Sequence, residues 1–294
     1  MSGGDGNDDF TGGGGDDTML GEAGNDSLNG QGGRDSILGA DGDDWLYGNG
    51  SPDTVTGGRG NDQVLGGASG DVLNGSSGND TVDGGDGSDR LNGGAGNDTM
   101  DGGLGDDDLN GEGDDDSLLG GDGTDHLDGG MGGDALDGQD GDDSLIGGGG
   151  DDMMLGGSGN DFMNAGGGND SIAGGDGNDI FVIDASQDIG DGIVVSGGNG
   201  TDKLVVNSTA ITSLAFPIAE TSFATLEVID LSGGSTAGVS INIAGRFINL
   251  IPQLIGDGTA DIINVFSDDY DTSCLLYTSP SPRDATLSRM PSSA

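Results

Sequence analysis

GGDGSDRLNGGAGNDTMD, residues Gly84 to Asp101, states one nine-residue rule twice: G-G-x-G-x-D-x-U-x, where U is a large apolar residue. The rule extends in both directions through twenty copies, head to tail from Gly3 to Val182, with no insertion or deletion. Place six is Asp in every copy: Asp8, Asp17, Asp26, Asp35, Asp44, Asp53, Asp62, Asp71, Asp80, Asp89, Asp98, Asp107, Asp116, Asp125, Asp134, Asp143, Asp152, Asp161, Asp170 and Asp179. Place eight is always large and apolar, from Phe10, Met19 and Leu28 to Ile172 and Phe181. Place one is Gly except at Ala165, and place four is Gly except at Ser51, Ser69 and Asp114. A short fixed period specifies a repeat architecture, in which each unit buries its apolar side only against its neighbours.

Composition alone points elsewhere. The 294 residues include 68 Gly, carry a formal net charge of −47, and are only 31% hydrophobic. An aperiodic chain with that balance would stay disordered, because it buries too little apolar surface to offset the ordering entropy. The period reverses that expectation for a cation-loaded state and leaves it standing for the metal-free one. The charge repels phosphate, so nucleic acid is excluded as a partner. No run approaches the 18 apolar residues of a membrane-spanning helix, and the N-terminus has no basic region leading into an apolar core.

The acidity is nearly all Asp, with Glu only at 22, 112, 220 and 227. A short carboxylate suits a tight turn, where it meets local backbone or a cation. Glycines at places one, two and four are expected to admit positive φ and to aim several carbonyls at one point, to which the Asp adds its carboxylate. Calcium takes six to eight oxygens of mixed carbonyl and carboxylate type. Zinc or copper would call for His or Cys, and the array offers only His126. The expected cofactor is therefore Ca2+, in many copies, on the place-six aspartates.

These residues resemble the RTX (hemolysin-type) calcium-binding repeat. The resemblance implies a right-handed parallel β-roll with two nonapeptides per coil, G-G-x-G-x-D as turn, x-U-x as a three-residue strand, and calcium between successive turns. The fold class expected is thus all-β, a solenoid followed by a β-rich capping region. Ten coils stacked about 4.8 Å apart would make a rod on the order of 50 Å long. Place eight would point inward and places seven and nine outward, which explains Asp9, Arg90, His126 and Ala135 at place seven. Stacking also brings each Asp to about 5 Å from the Asp eighteen residues on, a repulsion of roughly 3 kcal/mol per pair at an effective dielectric of 20. Calcium between the carboxylates turns that repulsion into ligation, so that binding and folding become one event.

Three departures interrupt the pattern. Ser51, followed by Pro52, and Ser69 are expected to weaken the sites at Asp53 and Asp71. Asp114 should keep its turn, since Asp tolerates a left-handed backbone. Beyond the array (3–182), residues 183–273 form a second region whose candidate strands are Ile180–Asp184, Lys203–Asn207, Thr225–Leu231, Val239–Ala244 and Ile262–Phe266. It contains one further motif at 197–205, five residues out of phase, which adds Asp202 to the candidate ligands. The last stretch, 274–294, resembles translated sequencing adapter: CLLYTSPSPRD is encoded by a transposase-type library adapter and SRMPSSA by its flow-cell end. On that reading the stretch is disordered artefact, Cys274 has no redox meaning, and the chain is a fragment.

No nucleophile elbow, phosphate loop or second His is present, and paired acids such as Asp16-Asp17 are places five and six of the repeat. The chain is therefore read as non-enzymatic. The resemblance implies a secreted or cell-surface bacterial module that folds on extracellular calcium and has the type I secretion machinery as a partner. A structural stalk of an adhesin and the accessory part of an exported toxin or hydrolase are the alternatives.

Overall fold

The structure, a computed structural model, describes residues 1–184, 194–207, 214–216, 226–230, 240–244, 253–255, 262–266, 275–276 and 288–289. The chain divides into two compact units, Met1–Gly148 and Gly149–Ala294. The described residues of both are strands and turns, with no helix.

In the first unit the copies alternate between two parallel sheets. Ser2–Asp5, Thr18–Ala23, Ser36–Asp41 and Thr54–Arg59 begin one sheet, and Asp9–Gly14, Ser27–Gly32, Trp45–Gly50 and Gln63–Ala68 the other. Thr18 lies opposite Ser36, Met19 opposite Ile37 and Leu20 opposite Leu38, an offset of eighteen residues. Two nonapeptides therefore make one coil of a parallel β-solenoid. The turn after each strand of the first sheet lies on one edge (Asp8, Asp26, Asp44). The turn after each strand of the second lies on the other (Asp17, Asp35, Asp53).

Place eight forms the core. Met19, Ile37, Val55 and Leu73 in one sheet, and Leu28, Leu46, Val64 and Val82 in the other, are all buried. Single-residue alternation puts places seven and nine on the opposite face, place seven largely exposed and place nine mostly half-buried.

After Ser2–Asp5, the strands of the first unit are six residues long, not three. Each runs from place seven through place three of the next copy, as in Thr18–Ala23, and only places four to six turn. The reason lies in the backbone. Positive φ falls at places two and four, as at Gly4 and Gly6, but not at place one. Place two is a bend inside a strand that continues pairing, as Glu22 opposite Ala40 shows. Non-glycine residues accept that bend, with Glu22 at φ 84° and Gln31 at 74°. Place four retains positive φ at all three departures: 91° at Ser51, 87° at Ser69 and 75° at Asp114.

In the second unit, Met153–Ser158, Ser171–Asp176 and Val194–Asn199 stack in parallel, as do Phe162–Gly167, Ile180–Asp184 and Asp202–Asn207. Ser171 pairs with Val194 and Ile180 with Lys203, an offset of 23 residues where the array has 18. The five extra residues fall within 185–193, outside the described residues, and the out-of-phase motif returns to register in space. Downstream, Leu226–Asp230 and Gln253–Ile255 extend the second of these stacks, and Leu214–Phe216, Ser240–Ala244 and Ile262–Phe266 form a further parallel set. Of 274–294, two short strands, Leu275–Leu276 and Ser288–Arg289, are described; the rest of that stretch, like the ends of the expected strand Thr225–Leu231, lies outside the described residues.

Candidate metal centre

The place-six aspartates stand in columns along the edges, because each turn repeats eighteen residues on. Their two carboxylate oxygens do different things. Oδ1 accepts the backbone N–H of the place-six Asp one coil earlier: Asp8 donates to Asp26 at 2.8 Å, Asp26 to Asp44 at 2.8 Å and Asp71 to Asp89 at 2.6 Å. The bond recurs on both edges of the first unit up to Asp125 N–H on Asp143, at 2.9 Å. In the second unit Asp152 donates to Asp170, Asp161 to Asp179 and Asp179 to Asp202, each at 3.0 Å. Asp202, proposed from the out-of-phase motif, thus occupies the same relation as the rest.

Oδ2 is the notable atom. In every copy from Asp26 to Asp125, and again at Asp170 and Asp179, it is buried and accepts no hydrogen bond. Buried polar atoms are almost always satisfied, and a buried carboxylate oxygen more strictly than most. A column of such oxygens offers unsatisfied negative charge to a cation.

Place one shows what surrounds Oδ2. A Cβ built on Gly75 would fall closer than 3.0 Å to Oδ2 of Asp80 and to the carbonyl oxygen of Gly93, one coil on. Gly21 meets Asp26 and Gly39 in the same way, and Gly66 meets Asp71 and Gly84. Place one is glycine for lack of a side chain, not for positive φ. Its α-carbon lies against a carboxylate oxygen and a carbonyl oxygen that converge on one small space. Among the described residues no three His, Cys, Asp or Glu side chains converge on a point. A cation here must therefore combine carboxylate with backbone carbonyl, the ligand set of calcium and not of zinc or copper.

Burial sets the electrostatics. It pushes the carboxyls of Asp62, Asp71, Asp116 and Asp125 up to about 7, and those of Asp98, Asp107 and Asp179 to about 6. The N–H bond from the preceding coil pulls the other way, and neighbouring carboxylates of the column add to the rise.

A second ladder was not foreseen from the sequence. At place five the side chain accepts the N–H of place five in the following coil. Asn7 receives Asn25 at 3.0 Å, Asp43 receives Asn61 at 2.9 Å and Asn61 receives Asn79 at 2.7 Å. It runs opposite to the place-six ladder, so neighbouring coils are tied in both directions. Asp26 N–H reaches Asp44 Oδ1 at 2.8 Å, while Asp43 N–H reaches Asn25 Oδ1 at 3.2 Å. The signal was in plain view: place five is Asn, Asp, Ser or Thr everywhere in the array except Arg34, Pro52, Gly70 and Gly133.

A family model described as the RTX calcium-binding nonapeptide repeat matches residues 2–37, 38–73, 65–100, 101–136, 128–163 and 155–189, which together run unbroken from 2 to 189. No curated protein matches the chain significantly. Among the described residues no helix is long and apolar enough to cross a membrane.

Proposed function

The chain belongs to the RTX calcium-binding nonapeptide repeat family, and from that premise we propose that its place-six aspartates hold the calcium ions through Oδ2 and that the solenoid folds when they bind. Repeats of this family bind calcium in multiple copies. The observation that carries the assignment to these residues is the column of buried Oδ2 atoms without a hydrogen-bond partner, most of them set against a place-one glycine with a carbonyl oxygen of the next coil beside it. Calcium supplies positive charge between carboxylates that otherwise repel, and oxygen coordination in place of lost hydration. Since no cage exists in the unfolded chain, the binding free energy appears as folding free energy.

This makes the array a structural calcium-binding module, not a catalytic one. Its place of action is outside the cell, where calcium is plentiful. Where calcium is scarce the chain stays extended and can be threaded through a one-step, type I export system; beyond the membrane, calcium closes the coils and opposes return. A calcium titration followed by far-UV circular dichroism tests the reading, with magnesium as control. A cooperative gain of β signal with calcium alone supports it, since magnesium keeps its water and demands a smaller octahedron. Full β structure in chelator at neutral pH would refute it.

A further inference from the structure

The repeat makes one exception at place one, and the inference drawn from it rests on the reading above that place-six carboxylates hold calcium. In the second unit, a Cβ on Gly156 would crowd Asp161 Oδ2 and the carbonyl of Gly174, and a Cβ on Gly174 would crowd Asp179 Oδ2 and the carbonyl of Gly197. On the edge bearing Asp161, Asp179 and Asp202 the space between the two oxygens is thus left open by glycine. On the other edge, at Asp170, it is not. The place-one residue of that copy is Ala165, which is 0% exposed, so its methyl group lies inside. Calcium needs oxygens about 2.3–2.6 Å away, whereas a methyl carbon needs about 3.5 Å from its neighbours. The two cannot share that space. Asp170 Oδ2 is buried with no hydrogen-bond partner.

The next coil continues in the same direction. Asn164 pairs with Val182, which sets Ile183 next to Ala165, and Ile183 is also 0% exposed. Ile183 in turn pairs with Val206. Along this line the chain passes from glycine to the buried aliphatic side chains of Ala165 and Ile183.

We propose that the Ala165 methyl occupies the cation position of its own copy, so that Asp170 takes no calcium while Asp161 and Asp179 on the other edge do. The two edges of the second unit then lose their metal at different coils. One is already held by apolar contact at Ala165 and Ile183, while the other remains metal-held as far as Asp202.

Native mass spectrometry of the full chain at saturating calcium, which resolves single ions, tests this directly, with circular dichroism in calcium confirming that each variant folds. Ala165→Gly should bind one calcium more than the parent chain. Asp170→Asn should leave the parent count unchanged, whereas Asp179→Asn should lower it. An unchanged count in Ala165→Gly, or a loss in Asp170→Asn equal to that in Asp179→Asn, would overturn the proposal while leaving the place-six assignment intact. A parent chain that binds no calcium would overturn both.

Discussion

The backbone N–H of Asp26 donates to Oδ1 of Asp44, 2.8 Å away and eighteen residues later, while Oδ2 of Asp44 is buried with no hydrogen-bond partner. One carboxylate therefore ties two coils together and still presents a free oxygen. This division explains why place six admits no substitute within the array: Asn would keep the tie but lose the charge, Glu would overreach the turn, and Ser offers a single oxygen.

Substitutions at Asp80 separate the two roles. Its Oδ1 accepts Asp62 N–H at 2.7 Å. Asp80→Asn preserves that acceptor and removes the carboxylate, so the calcium midpoint of folding should rise while coil-to-coil hydrogen bonding survives. Asp80→Ala also strands the buried Asp62 N–H, at an additional cost of about 1–3 kcal/mol. Calcium titrations followed by circular dichroism, compared with urea unfolding at saturating calcium, check both. Equal destabilisation by Asn and Ala would show that Oδ1 contributes nothing.

Protons should substitute in part for calcium. The folded carboxyls of Asp62, Asp71, Asp116 and Asp125 sit near 7, raised first by burial, against an ordinary value of 3.8. The metal-free fold thus binds more protons than the unfolded chain between about pH 4 and 7. Its stability is fully expressed below about pH 4 and is lost as pH rises through 6–7. In chelator, β signal should be greatest near pH 4 and absent at pH 8. Calcium binding near pH 6 should release protons, measurable by pH-stat. A chelated chain equally unfolded at both pH values would count against the burial of these groups.

Neighbouring glycines should differ sharply. Gly12, at place one, leaves no room for a methyl group between Asp17 Oδ2 and the carbonyl oxygen of Gly30. Gly13, at place two, has φ 105°, nothing within 4 Å of where a Cβ would stand, and a counterpart one coil on, Gln31, at 74°. Gly12→Ala should cost about 1–3 kcal/mol of overpacking and displace calcium from Asp17. Gly13→Asn should cost under about 1 kcal/mol, because Asn enters the left-handed region readily. Thermal unfolding in calcium distinguishes them, and a milder effect at Gly12 than at Gly13 would contradict the geometry.

That contrast also marks what the sequence could and could not reveal. Periodicity was sufficient for the solenoid, the inward column of Met19, Leu28 and Ile37, and the stacked carboxylates, because each follows from spacing alone. It was insufficient for place one. An invariant glycine looks the same in a string of letters whether it is needed for φ, as at Gly6, or for absent volume, as at Gly21. Strand length is illegible for the same reason, since a glycine-rich stretch suggests a turn and yet places one to three remain paired. The place-five ladder is hidden in the letters because Asn, Asp, Ser and Thr read as variability until their shared oxygen is seen accepting one N–H. Asp202 was found by motif, but only the 23-residue offset shows that it stands where an in-phase Asp would.

The place-five ladder predicts where calcium-loaded coils open first. On the edge bearing Asp17, Arg34 N–H takes Asp16 Oδ1 at 2.9 Å, and the ladder resumes with Asp106 N–H on Ser88 Oγ at 3.3 Å. Between them Pro52 has no N–H to give, Arg34 has no acceptor to offer and Gly70 has no side chain. At the same height on the other edge the ladder is unbroken, Asn61 N–H meeting Asp43 at 2.9 Å and Asn79 N–H meeting Asn61 at 2.7 Å. The place-six column is intact on both edges, with Asp53 N–H on Asp71 Oδ1 at 2.7 Å, so the difference isolates the ladder. Each missing bond removes about 0.5–1.5 kcal/mol from the local opening energy, or roughly two- to tenfold in exchange rate. Hydrogen-exchange mass spectrometry in saturating calcium should therefore find the Gly70–Asp71 amides faster than Asn61–Asp62 and Asn79–Asp80. Pro52→Asn, which gives Gly70 N–H an acceptor one coil below, should slow exchange at Gly70 and leave Asn61 unchanged. Equal protection on the two edges would mean that the place-six column and its calcium alone govern opening.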